Sequence, residues 1–493
     1  MAEFTPTPGQ ALAISDRGGE LLVSAAAGSG KTRVLIERLM GYILGENRAD
    51  VDSFLIITFT RAAAEQLRGK IGEHISELAE SATGGQAAYL RRQRALLRRA
   101  QICTIDSFCV SLLRENAAAL GLDPGFALCD EQRAAELKST ALENTLEAAY
   151  ERAEPDFLAL AGSVGAGRDD ARLESLVLSL HEKLQSHAHP ERWVAAQKRD
   201  LDALPEDAGQ TVWGRELIDG ARAQLSYWRG VMRRLLDEVS DSEAAMKAYG
   251  ASLGETAASL DAALAACERG WDALRAALPV SFPRLGALRS DAELRELVKS
   301  HRDPCKKALD KLTKDFSAPS AELLRDVRAT APAMTALLNL ALEFDAEYTR
   351  CKRRRSLIDF ADAEHLAAQL LTDEGGNPSP FALELSRRYT EVMVDEYQDV
   401  SRVQEDIVRA VSGGGRRLFM VGDVKQSIYR FRLADPTIFL EKYERFTDAP
   451  APEGEPRRVF LSESFRSRGE VVAAVNSVFH CLMSRELGEL DYD

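Results

Sequence analysis

Glu20-Leu-Leu-Val-Ser-Ala-Ala-Ala-Gly-Ser-Gly-Lys-Thr32 is the stretch on which the fold turns. The run ending at Ser24 has the length of a buried strand, and Val34-Leu-Ile-Glu-Arg-Leu39 behind it has helical spacing. A glycine-rich turn between strand and helix exposes backbone N–H groups at a helix N-terminus, where they can meet phosphate oxygens. In that frame Ala25, Ala26, Ala27, Gly28, Ser29 and Gly30 form a cradle, Lys31 reaches the β- and γ-phosphates of a nucleotide, and Thr32 holds Mg²⁺. The first position is alanine where the usual pattern has glycine.

A cradle of this kind needs a partner strand ending in acids, one for the metal and one to activate water. Val392-Met-Val-Asp-Glu396 has that form, with Asp395 as candidate metal ligand and Glu396 as candidate general base. More than half of the chain separates the two motifs, which argues for a motor with an insertion rather than a minimal nucleotide-binding domain.

Apolar runs at 21–24, 55–58 and 102–105 alternate with helix-like stretches, the pattern of a parallel sheet with crossover helices. The texture then changes. From about 113 to 350 the chain is rich in Ala, Leu, Glu and Arg with helical spacing, as over 131–151 and 261–278. Strand-like runs return at 392–395, 418–422 and 459–461. The expected fold is α/β: a parallel-sheet domain in two pieces, 1–112 and 351–470, interrupted by an all-helical insertion over 113–350, with 471–493 opening a further domain.

With 493 residues, 45% hydrophobic and 28% charged, the chain can bury two or three cores. A net charge of -14 argues against a protein that coats nucleic acid passively, since phosphate neutralisation needs Lys and Arg. Basic clusters at Arg91-Arg-Gln-Arg94 with Arg98-Arg99, and at Lys352-Arg-Arg-Arg355, leave two readings open, a DNA contact or a solvated helix face. Seven cysteines without a Cys-x-x-Cys pair fit reduced thiols, and His187 and His189 read as structural or solvated. No apolar run approaches the roughly 20 residues of a membrane helix. The N-terminus lacks a secretory signal pattern, so a cytoplasmic protein with no membrane partner is expected.

Further blocks follow in order: Thr7-Pro-Gly-Gln10; Thr58-Phe-Thr-Arg-Ala-Ala-Ala-Glu-Gln-Leu67; Thr104-Ile-Asp-Ser-Phe-Cys109; Leu357-Ile-Asp-Phe-Ala-Asp362; Asp395-Glu-Tyr-Gln-Asp399 with Gln404; Gly422-Asp-Val-Lys-Gln-Ser-Ile-Tyr-Arg-Phe-Arg432; and Leu461-Ser-Glu-Ser-Phe-Arg-Ser467. Together with the cradle they make the chain resemble the UvrD/Rep-type superfamily 1 DNA helicases, and among them the AddA branch of the bacterial ATP-dependent helicase/nucleases. The resemblance implies a RecA-like P-loop domain (1A) interrupted by a helical domain (1B), with ATP and Mg²⁺ as cofactors. It implies that Gln10 reads adenine, that Arg33 follows the P-loop as in the family, and that Phe465 stacks on the base. Gln426 and Arg466 would touch the γ-phosphate. For single-strand DNA it implies Tyr429 and Phe431 as one stacking platform and Phe59 as another, with Thr58, Thr60, Arg61 and Ser107 at the backbone; helix-cap roles for these polar residues stay open.

Two departures from the family pattern are Asp106, where many relatives carry His, and Ser464, where Asn is frequent. The family's later motifs, which supply most of the second RecA-like lobe, are missing, so the sequence reads as the front part of a longer protein. The implied partners are a second helicase/nuclease subunit together with single-strand and double-strand DNA ends. The alternatives are a stand-alone repair helicase, or a nucleotide- and DNA-binding module without turnover. A transporter or SMC-type ATPase is disfavoured, as there is no Leu-Ser-Gly-Gly signature.

Overall fold

A computed structural model describes residues 4–164, 169–373, 375–429, 433–452, 454–484 and 492. Strands β1 (Gly19–Ala25), β2 (Phe54–Thr58), β3 (Gln101–Thr104), β4 (Ala127–Leu128), β5 (Leu357–Ile358), β6 (Glu391–Asp395), β7 (Arg417–Gly422), β8 (Thr447–Asp448) and β9 (Arg457–Leu461) alternate with helices. Seven of them form one sheet in the order β3-β2-β6-β7-β1-β9-β8, while β4 and β5 pair separately. Each pairing in both sheets is parallel.

A strand's side chains alternate between faces, and a parallel sheet covered by helices buries both. Leu21 and Val23 of β1, Ile56 of β2 and Phe419 and Val421 of β7 pack on one side with Val34, Leu35 and Leu39 of the helix Lys31–Leu44. Leu22, Leu55, Ile57, Leu418 and Met420 pack on the other with Phe108, Leu112 and Ile407. The runs are apolar throughout because neither face meets water.

Chain contacts divide the protein into two compact units, Met1–Val194 with Leu337–Val472, and Ala195–Ala336 with Ala473–Asp493. The expected boundaries near 112 and 350 therefore differ from the observed ones. The cause is visible in the first unit, where residues 113–194 are tied to its second segment. Cys129 N donates to Ile358 O at 2.8 Å, Asn144 Nδ2 to Glu347 Oε1 at 2.9 Å, and His181 Nε2 lies 2.9 Å from Asp345 Oδ1. The second unit is helical with its own core around Trp271, Phe316, Leu253 and Leu260. Its expected helix over 261–278 is broken: Ala251–Cys267 ends, Gly270 adopts φ +106°, and Trp271–Ala277 begins anew. No helix among the described residues is long and apolar enough to cross a membrane.

Buried ion pairs fasten the sheet unit from below. Arg38 Nε donates to Glu391 Oε2 at 2.7 Å, linking the helix Lys31–Leu44 to the start of β6. Lys442 Nζ meets Glu20 Oε2 and Glu405 Oε1, both at 2.9 Å. Lys352 is buried against Asp359 at 2.9 Å and Asp362 at 2.6 Å, and so is neither a DNA contact nor a solvated face. Asp359 and Asp362 also form the capping box of the helix Phe360–Leu371, which gives the Leu357–Asp362 block a structural role.

Candidate nucleotide and DNA site

At the C-terminal edge of β1 the chain turns through Ala26 to Gly30 into the helix Lys31–Leu44. Ser29 N donates to Ala26 O at 3.1 Å, closing the turn. Gly28 and Gly30 sit at φ +79° and +85°, a left-handed region that side-chain-bearing residues avoid. A Cβ on Gly28 would also stand 2.8 Å from Arg466 Cβ, so the loop after β9 lies directly on the cradle. That loop is pinned by Phe465 N, which donates to Gly28 O at 2.9 Å, while the Phe465 ring is exposed. Arg466 is exposed at the same rim. Ser29 Oγ is buried without a hydrogen-bond partner.

Gln10 is buried, and its amide is engaged within the protein: Nε2 donates to Ser29 O at 2.9 Å, and Oε1 accepts from Thr7 N at 3.0 Å. It braces the cradle from the side. Arg33 is exposed and pairs with Glu37 at 2.6 Å.

β6 brings the acids in. Lys31 Nζ is 2.6 Å from Glu396 Oε2. Glu396 sits at φ +52°, a backbone state that costs a non-glycine residue about 1–3 kcal/mol and persists where surroundings impose it. Burial, then the neighbouring Glu396, push the Asp395 carboxyl up to about 6, with Lys31 acting the other way. Thr32 lies in the first turn of the helix that the cradle opens.

Gln398, to which sequence reading gave no role, joins this centre to the next strand. Its Nε2 donates to Glu396 Oε2 at 3.0 Å and to Asp399 Oδ2 at 3.1 Å, and its Oε1 accepts from Asp423 N at 3.0 Å. Asp423 Oδ2 in turn accepts from Gln426 Nε2 at 2.7 Å. No local signal marks Gln398, because its partners come from the ends of β6 and β7.

The polar residues assigned to DNA have local duties. Thr58 Oγ1 donates to Thr60 O at 3.1 Å, Thr60 caps the helix Arg61–Ser81, and Ser107 N donates to Thr104 Oγ1 at 3.2 Å. Arg61 is exposed. Phe59 and Tyr429 were expected on separate platforms, yet their rings lie 4.4 Å apart at 33° and form one pair. Phe431 lies outside the described residues. Beside the pair, a cavity of about 260 Å³ is lined by Thr58, Phe59, Asp106, Glu364, Asp395 and Glu396 among others, and so spans from the aromatic pair to the acids.

A parallel sheet with a phosphate cradle on β1 and paired acids on β6 defines the P-loop class of α/β proteins. The chain matches the UvrD/REP helicase N-terminal domain over residues 7–447, and it belongs to that family. It is 39% identical over 500 residues to the ATP-dependent helicase/nuclease subunit (AddA) of Acetivibrio thermocellus, covering 97% of this chain and 39% of that protein. Against the protein of the same name in Desulforudis audaxviator it is 41% identical over 506 residues, 98% of this chain and 40% of the relative. The corresponding figures for Ruminiclostridium cellulolyticum are 37% over 510 residues, 100% and 40%. The chain thus spans about two fifths of the length of these curated relatives.

Proposed function

We propose that this chain carries the ATP- and single-strand-binding part of a 3′-to-5′ DNA translocase, the motor of a helicase–nuclease that processes double-strand DNA ends with a second subunit. One observation carries the reading: Lys31, Glu396 and Gln426, from the ends of β1, β6 and β7, are joined through Gln398 and Asp423 into a single hydrogen-bonded wall. The names of the relatives support the helicase–nuclease assignment.

ATP phosphates fit the cradle, where left-handed glycines leave backbone N–H groups accessible and the buried Ser29 Oγ has no partner. Lys31 leaves Glu396 for the β- and γ-phosphates. Glu396 then accepts a proton from the attacking water, and Gln426 and Arg466 meet the γ-phosphate. Phe465 offers an exposed ring to adenine. Mg²⁺ would be held by the Thr32 hydroxyl and Asp395 carboxylate, hard oxygen donors suited to it, and would supply charge neutralisation at the phosphates. Phe59 and Tyr429 stack on bases, and 3′-to-5′ movement follows from cycles of this wall against a second lobe.

The test uses the full protein with its partner subunit on oligonucleotides carrying streptavidin at one end. ATP-dependent displacement from the 5′ end alone, with hydrolysis stimulated by single-strand DNA, is expected. Hydrolysis indifferent to DNA, or displacement from the 3′ end, overturns the proposal.

A further inference from the structure

We infer that Gln398 is a positioning residue that ties the water-activating carboxylate of Glu396 to the γ-phosphate-sensing loop of Gln426. The inference rests on the roles proposed above for those two residues. Three features of the Gln398 surroundings carry it.

The amide is buried and its orientation is fixed by its partners. Nε2 faces two carboxylate oxygens, Glu396 Oε2 and Asp399 Oδ2, while Oε1 faces the Asp423 N–H. Turning the amide over would set oxygen against two carboxylates and NH₂ against an N–H donor. Gly422 leaves the room this needs, since a Cβ there would collide with Gln398 Oε1.

Lys31 and Gln398 also share one acceptor. Both donate to Oε2 of Glu396, at 2.6 and 3.0 Å. When Lys31 turns to phosphate, Gln398 is the donor that keeps the carboxylate in place.

Third, the link continues. The backbone N–H that Gln398 accepts belongs to Asp423, whose carboxylate receives Gln426 Nε2 at 2.7 Å and Lys425 Nζ at 3.1 Å. Ser427 Oγ donates to Gln398 O at 3.3 Å, fastening the far side of the same loop. A shift of Gln426 towards or away from a γ-phosphate is therefore felt at Glu396 through a single side chain. Tyr429, stacked on Phe59, lies three residues beyond Gln426, so the same segment reaches the aromatic pair.

The experiment compares wild type, Gln398→Glu, Gln398→Ala and Glu396→Gln in the full protein with its partner subunit. It measures Mg·ATP binding, KM, kcat and the ratio of kcat with and without single-strand DNA. Gln398→Glu keeps the volume and the acceptor for Asp423 N but loses both donors. Both Gln398 variants are expected to bind Mg·ATP within about 3-fold of wild type, to lose on the order of 10²-fold in kcat as the base is misplaced, and to lose stimulation by DNA. Retained kcat and stimulation overturn the inference. So does loss of nucleotide binding in both variants, which marks Gln398 as scaffold only. If Glu396→Gln itself hydrolyses ATP like wild type, the assigned base falls, an outcome separate from failure at Gln398.

Discussion

Lys31 Nζ lies 2.6 Å from Glu396 Oε2, so the cation of the cradle and the carboxylate assigned as base neutralise one another across β7. Phosphate must compete with Glu396 for that ammonium. Glu396→Gln is thus expected to bind Mg·ATP as tightly as wild type or tighter, while turnover falls about 10²–10⁴-fold with loss of the general base. Lys31→Ala removes a charge-assisted bond to phosphate, and a loss of about 1.5–3 kcal/mol in nucleotide affinity should follow. Titration with a fluorescent ATP analogue, beside steady-state hydrolysis, separates the two. Equal turnover by Glu396→Gln and wild type would show that another group activates water.

The pairing of Phe59 with Tyr429 changes what a DNA-binding mutation should do. Each ring is held by the other, so truncating either disturbs both. Phe59→Ala and Tyr429→Ala should each weaken single-strand DNA binding by about 1–3 kcal/mol, with a double variant well short of the sum. Filter binding at fixed salt checks this. Unchanged affinity in all three would mean that the rings only pack on one another.

Lys352 belongs to a run of four basic residues that resembles a DNA contact, but it is buried between Asp359 and Asp362 with its ammonium 3.9 Å from the Tyr348 ring centroid. Lys352→Ala leaves two carboxylates without their cation and is expected to cost about 3–5 kcal/mol in urea unfolding. Single-strand DNA affinity and its salt dependence should stay as in wild type. A stable variant with a weaker salt slope would restore the DNA reading.

The cradle and the acids were legible because each is local: one turn with two left-handed glycines, one apolar run ending in Asp-Glu. The sheet was legible because strands buried on both faces are continuous apolar runs. What escaped depends on contacts between distant segments. Gln398 acts through residues at the ends of β6 and β7, Lys352 through a helix cap, and Gln10 through the Ser29 carbonyl. The unit boundary escaped for the same reason, since residues 113–194 differ little in texture from those after 195, and only their hydrogen bonds to 343–365 set them apart.

Glu364 lines the cavity beside the acids and accepts from Gln404 Nε2 at 2.6 Å. Burial, with Asp106 beside it, pushes its carboxyl up to about 8. Asp395, Glu396 and Asp399 from the β6 side line the same cavity, and the remaining lining residues are neutral. The sign of the pH dependence follows. A folded chain that keeps a proton which the unfolded chain releases near the ordinary value of 4.5 is stabilised below that value. The contribution is lost as pH rises from there through about 8 and is flat above. Glu364→Gln is neutral throughout, still accepts from Gln404, and still offers a donor towards Asp106. Thermal unfolding of wild type should therefore fall further than that of Glu364→Gln between roughly pH 5 and 9, with the two nearly equal at the acid end and the variant more stable at the alkaline end. Parallel profiles for the two proteins would show that Glu364 ionises in the fold as it does in the unfolded chain.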